Sequence, residues 1–223
     1  METTDRAGTT QMNALPFILS ILSVFAIEAG IRFLDLAPLM LIGFARCVEA
    51  LVILLIFYMS KNGISAIGFE KYRIIRGIQK GLVWSAGFGA LAGLGGLILF
   101  ICGFDPFALI HVGLPKTRPQ IILFFLVGGV IAPIAEEIFF RGIIYGYLRD
   151  FMFKKMDRWG VLPALFISTA LFVMAHQVGS GIPLPQLAGG VVFCVAYEIE
   201  KSLFAPIIIH SLGNLALFTV SCF

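Results

Sequence analysis

Charge is what this chain has least of. Only 13% of its 223 residues are Asp, Glu, Lys or Arg, against 59% hydrophobic ones, and the mean hydropathy is +0.99. Those values lie well outside the range of soluble domains and point to a polytopic membrane protein. Stretches that alternate apolar and polar residues, the mark of an outer-membrane barrel, are also missing, so the spanning elements are expected to be helices. Cysteine is sparse: Cys47, Cys102, Cys194 and Cys222 stand singly in or beside apolar segments, without CxxC spacing. That excludes a ribbon-type zinc site or a dithiol redox motif, and the four read as small core residues. No short apolar region with a small-residue cleavage site opens the chain, so the first helix is expected to be retained after the polar start METTDRAGTTQMN. The net charge of +3 comes from basic residues between apolar runs. Membrane topology accounts for them, and no nucleic-acid partner is inferred.

What is present is a series of apolar runs separated by charged or Pro/Gly-marked breaks. They give seven expected spans, at about 14–31, 36–59, 81–102, 119–147, 160–177, 185–199 and 203–221. The expected fold is an all-α, polytopic transmembrane helical bundle, one integral membrane domain over 1–223. Between the second and third spans, KNGISAIGFEKYRIIRGIQKG interleaves basic residues with isoleucines and reads as an amphipathic helix lying in the interface.

With that segment in the cytoplasm, its side of the membrane collects Arg6, Lys61, Lys71, Arg73, Arg76, Lys80, Arg149, Lys154, Lys155, Arg158 and Lys201. The opposite side holds Arg32, Lys116 and Arg118. This bias predicts a cytoplasmic N-terminus and an external C-terminus. Two GxxxG steps, Gly89/Gly93 and Gly142/Gly146, predict close helix packing.

An ionisable side chain inside the bilayer faces a cavity or a partner, because lipid cannot solvate it. On the fourth span Glu137 and Arg141 are four residues apart and within reach of each other. Glu136 is rotated by about 100° from Glu137 on an α-helix and needs another partner or a role. An apolar setting is how a glutamate becomes a competent general base or acid near neutrality, which makes Glu136 the prime catalytic candidate. Two of the chain's three histidines also lie in apolar helices. Phe172 and His176 sit four apart on the fifth span, His210 and Asn214 four apart on the seventh. Asn214 is placed to orient the His210 ring, to donate to a developing oxyanion, or to make an interhelical hydrogen bond. His111, in an expected external loop, reads as an interface residue.

The ordered set Glu136-Glu137-Ile138-Phe139-Phe140-Arg141, Phe172-Val173-Met174-Ala175-His176 and His210-Ser211-Leu212-Gly213-Asn214 resembles the EExxxR, FxxxH and HxxxN motifs of the CPBP intramembrane proteases. That family includes the type II CAAX prenyl endopeptidases and bacteriocin-processing proteins. The resemblance covers about residues 119–220, the expected catalytic core. It implies peptide-bond hydrolysis, with Glu136 and His176 activating water, His210 and Asn214 stabilising the oxyanion, and Glu137, Arg141 and Phe172 in support. The expected substrate is a membrane-anchored protein or peptide in the lipid bilayer, and the compact size suits a bacterial inner membrane.

Glu136, His176 and His210 also make up a three-ligand set with one open position for zinc-bound water. No HExxH helix supports that version, and few carboxylates are at hand to orient metal-binding histidines, so a metal-free mechanism without a cofactor is favoured. A proton-coupled transporter or a non-catalytic immunity or scaffold protein would use the same buried charges differently. No inverted repeat favours the transporter.

Overall fold

The structure is a computed structural model, and it describes residues 12–61, 63–177 and 183–223. Arg6, counted above in the charge bias, lies outside them. Among the described residues the secondary structure is helical, without a strand. Helices stand at each of the expected positions: α1 (Ala14–Gly30), α2 (Pro38–Met59), α3 (Ile74–Ile101), α4 (residues 118–156), α5 (Val161–Ala175), α6 (Leu184–Glu200) and α7 (Phe204–Val220). Among the described residues, four helical stretches are long and apolar enough to cross a membrane: Ala14–Phe33, Pro38–Met59, Ile64–Ile101 and Arg118–Ala175. The last of these holds both α4 and α5, joined by the 3-10 turn Asp157–Gly160. Large apolar side chains such as Leu22, Phe25, Leu55, Ile98, Phe100 and Phe166 are exposed, the surface of an integral membrane protein whose solvent is lipid.

The segment over 61–80 is not one amphipathic helix. It forms two short 3-10 turns, Ile64–Ile67 and Lys71–Arg73, and then enters α3. Gly63 and Gly68 hold φ of +63° and +84°, which breaks helical continuity. Ile67 is fully buried, and Phe69 meets Phe204 edge-on at 5.2 Å. These apolar residues pack into the bundle, where an interfacial helix would have laid them on lipid.

Helix pairing also differs from the glycine pattern. The most extensive contact is α3 with α7, and the glycines that allow it are Gly77 and Gly81. A Cβ on Gly77 would stand 2.8 Å from Phe204 Cβ, and one on Gly81 would stand 2.7 Å from Ile208 Cβ. Gly89 and Gly93 face nothing within 4 Å, so that expected step packs against no other helix among the described residues. Gly142 and Gly146 do pack, against Leu203 and Ile67 and against Met12. Of the four cysteines expected in the core only Cys194 is buried, while Cys47, Cys102 and Cys222 are exposed.

The helix that carries the acidic motif is not a regular α-helix. Its α-helical parts, Arg118–Leu126, Ala132–Glu137 and Gly146–Met156, are separated by π-helical stretches at Val127–Ile131 and Ile138–Tyr145. Such widened turns gather at functional sites. The first has a local cause. Ala132 N–H goes to Val127 O, and the next residue, Pro133, has no N–H. Gly128 O is thereby left without a donor from its own helix, and Asn214 Nδ2 on α7 supplies one at 2.8 Å.

Candidate active site

The candidate side chains on α4 and α5 sit at the end of a helix or beside its irregular part, whereas His210 and Asn214 lie within the regular helix α7. His176 is the residue just past the last turn of α5, where backbone carbonyls lack intrahelical partners. Its Nδ1 lies 2.8 Å from Phe172 O. A carbonyl only accepts, so the proton sits on Nδ1 and Nε2 is the free face of the ring. That Nε2 stands 3.4 Å from Glu136 Oε2.

His210, buried on α7, is oriented in the same manner by a different acceptor. Its Nδ1 lies 2.8 Å from Glu137 Oε1, and its Nε2 lies 3.7 Å from Glu136 Oε2. The two histidines thus present Nε2 to one carboxylate oxygen from two helices. Glu136 is mostly buried but keeps 14% of its side chain exposed, and His176 keeps 26%, so the cluster has an open side.

Glu137 and Arg141 pair as their spacing predicted, at 2.8 Å with both side chains fully buried. The same Glu137 oxygen that serves His210 accepts from Arg141 Nη1. Arg141 Nη2 reaches Gly190 O at 3.3 Å. Its guanidinium carbon lies 4.4 Å from the Phe172 ring centroid and 5.0 Å from that of Phe193, an aromatic enclosure that compensates part of the lost hydration. Phe172 also touches both imidazoles, at ring separations of 4.4 Å to His176 and 5.7 Å to His210.

Asn214 is one turn beyond His210, but its amide nitrogen goes to Gly128 O. Of the three placements open to it from the sequence, the interhelical hydrogen bond is the one present, and Glu137 orients the ring. Phe193 was not marked by any motif; it stacks on His210 at 4.6 Å and 21°. His111 is exposed, away from the cluster. Three charges inside the first two helices were passed over in the sequence reading: Arg46 on α2 pairs with Glu28 on α1 and with Glu49 on its own helix. Their signal was plain, since each is a lone charge in an apolar run.

Whether the donors fit a metal is a question of geometry. Tetrahedral zinc with bonds of about 2.0–2.1 Å sets ligand atoms roughly 3.4 Å apart. The two edges from Glu136 Oε2, 3.4 and 3.7 Å, are near that length. Yet among the described residues no group of three His, Cys, Asp or Glu side chains is arranged as one that could hold a metal ion. As placed, the set does not fit a metal centre. The scarcity of orienting carboxylates is not a reason against one, because Glu137 does orient His210.

Comparison with known families finds a likeness over the same region. Residues 118–216 match the family described as type II CAAX prenyl endopeptidase Rce1-like. Among curated proteins, the chain is 38% identical over 106 residues to the membrane-embedded CAAX protease MroQ of Staphylococcus aureus, a match over 45% of this chain and 42% of that protein. It is 25% identical over 213 residues to an uncharacterized 24.3 kDa protein of Escherichia coli, over 90% of this chain and 94% of the relative. It is 31% identical over 87 residues to the UPF0177 protein YxdF of Lactococcus lactis, over 39% of this chain and 44% of the relative. The chain therefore spans less than half the length of two of these relatives, MroQ included. No solved structure matches it.

Proposed function

We propose that this Rce1-like chain is an intramembrane endopeptidase that hydrolyses a peptide bond in a membrane-anchored protein or peptide. The observation that carries the reading is the convergence of His176 Nε2 and His210 Nε2 on Glu136 Oε2, each ring fixed through its other nitrogen. Glu136 takes a proton from water with His176 beside it, and the activated water attacks the scissile carbonyl. The same pair returns the proton to the departing amine. His210 Nε2 faces the developing oxyanion and donates to it once that nitrogen carries a proton. Asn214 contributes its remaining N–H there, its other role being the bond to Gly128 O.

The reading places one integral membrane domain over 1–223 in a bacterial inner membrane, with seven spans, a cytoplasmic N-terminus and a catalytic core at 119–220. The mechanism is metal-free. Comparing the processed termini of membrane proteins from cells with and without the protein identifies substrates, and Glu136→Gln and His176→Ala variants are then scored on them. Both variants are expected to lose processing. Processing that survives both changes sinks the mechanism.

A further inference from the structure

A hydroxyl inside a helix has an acceptor always at hand, the carbonyl four residues back. Ser20, Ser85 and Thr219 use it, donating to Pro16 O at 2.8 Å, to Gly81 O at 2.7 Å and to Leu215 O at 2.7 Å. Ser168 on α5 does not close on its own helix. Its side chain is fully buried, and its Oγ donates across to Phe140 O on α4 at 3.1 Å. A serine that merely filled space on α5 would turn back to Ala164 O. One that crosses to a second helix fixes the two against each other, since lipid gives neither group another partner.

The acceptor lies in the π-helical stretch Ile138–Tyr145, which begins directly after Glu137. A π turn holds more residues than an α turn, so its form sets where Arg141 falls relative to the two glutamates. The other end of the bond leads to His176. Phe172, one turn beyond Ser168 on the same face of α5, meets the Phe140 ring edge-on at 5.1 Å. Residue 140 is thus held twice from α5, by its carbonyl and by its ring. Phe172 in turn carries His176, with its carbonyl 2.8 Å from Nδ1 and its ring 4.4 Å from the imidazole.

We propose that Ser168 is a positioning residue of the active site: its hydroxyl pins the π-helical stretch of α4 to α5 at the height where His176 Nε2 stands 3.4 Å from Glu136 Oε2. Closed off from solvent, Ser168 acts through Phe140 and Phe172 and takes no part at the reacting atoms. The inference rests on the reading of Glu136 and His176 as the pair that activates water. It gives a working role to a residue outside the three motifs.

The test uses the full chain in liposomes and an internally quenched peptide built on a terminus found in the comparison of processed termini, below the thermal midpoint of every variant. Ser168→Ala is expected to lower kcat about tenfold with KM within about twofold. Ser168→Thr, which keeps the hydroxyl, is expected to retain about a third or more of the wild-type kcat. Thr169→Val removes the neighbouring buried hydroxyl, which faces Cys194 Sγ on α6 at 4.0 Å, and is expected to leave kcat within about twofold of wild type. Ser168→Cys, a weaker donor, is expected to lower kcat severalfold and keeps the test readable if Ser168→Ala does not fold. Wild-type kcat in Ser168→Ala, or in Ser168→Cys should the alanine variant not fold, overturns the role of Ser168; an inactive Glu136→Gln beside it leaves the protease reading standing. Equal loss in Ser168→Ala and Thr169→Val, or in Ser168→Ala and Ser168→Thr, also overturns it, since α5 then needs only its packing. Full activity in Glu136→Gln removes the protease mechanism and this inference with it.

Discussion

His210 Nδ1 lies 2.8 Å from Glu137 Oε1, the oxygen that also takes Arg141 Nη1 at 2.8 Å. The glutamate one residue earlier addresses the opposite nitrogen of the same ring, with Glu136 Oε2 at 3.7 Å from Nε2. Adjacent carboxylates thus hold the two sides of one imidazole, and the buried ion pair is part of the site's geometry as well as of its stability.

Removing one member of that pair should therefore harm fold and function separately. Glu137→Gln leaves the Arg141 charge buried without its counterion, at a cost of about 3–5 kcal/mol, read as a fall in the unfolding midpoint in detergent. A Glu137→Leu/Arg141→Met double variant removes both charges and is expected to recover most of that stability. It should still fail to process substrate, because His210 has lost the acceptor that sets its ring.

Asn214→Ala removes the donor to Gly128 O and leaves a partly buried carbonyl in the π-helical stretch without that partner. The expected loss is about 1 kcal/mol in unfolding free energy. Pairing it with Pro133→Ala, which returns an N–H to α4, should recover part of that loss. Equal stability of Asn214→Ala and wild type would show that the bond contributes nothing.

The glycines of α3 should divide into two classes. Gly81→Leu is expected to separate α3 from α7 and to abolish folded protein on size-exclusion chromatography, since the new side chain has to displace Ile208 and the Ala205 carbonyl. Gly89→Ala and Gly93→Ala add a Cβ that meets nothing within 4 Å and should change stability by no more than about 0.5 kcal/mol.

Metal analysis of purified, chelator-treated protein separates the two hydrolytic chemistries. Full activity at less than one metal ion per ten chains is the expected result. Activity that disappears with zinc and returns with it would move Glu136, His176 and His210 from general base and donors to ligands.

The sequence made the helices legible because hydrocarbon demands continuous apolar runs, and α1, α2 and α5 to α7 end within two residues of their expected limits. Boundaries failed where protein took the place of lipid. Ile67 and Phe69 read as an interfacial face, yet both are covered by the bundle, Phe69 by Phe204. The GxxxG count failed on α3 because spacing records that a helix can pack closely, without recording which turn has a neighbour. In the site, the EE pair sorted correctly into Arg141's partner and a separate residue, since helical rotation fixes that locally. The orientation of His210 by Glu137 was invisible, because it depends on how α7 sits against α4, and the π-helical turn over Ile138–Tyr145 was not signalled by composition. Arg46 was legible and was missed: a charge in mid-helix deserves a search for its partner whichever helix carries it.

Pro133 takes one donor from α4, and the carbonyl it strands at Gly128 can be satisfied only by another helix. That makes the proline a registration mark. The alignment of α7 on α4 that brings the Asn214 amide to Gly128 is also the one that brings His210, one turn away, to the two glutamates. A missing N–H thereby acts as a checkpoint on how the bundle closes, and the imidazole arrives in place because a carbonyl next door had nowhere else to turn.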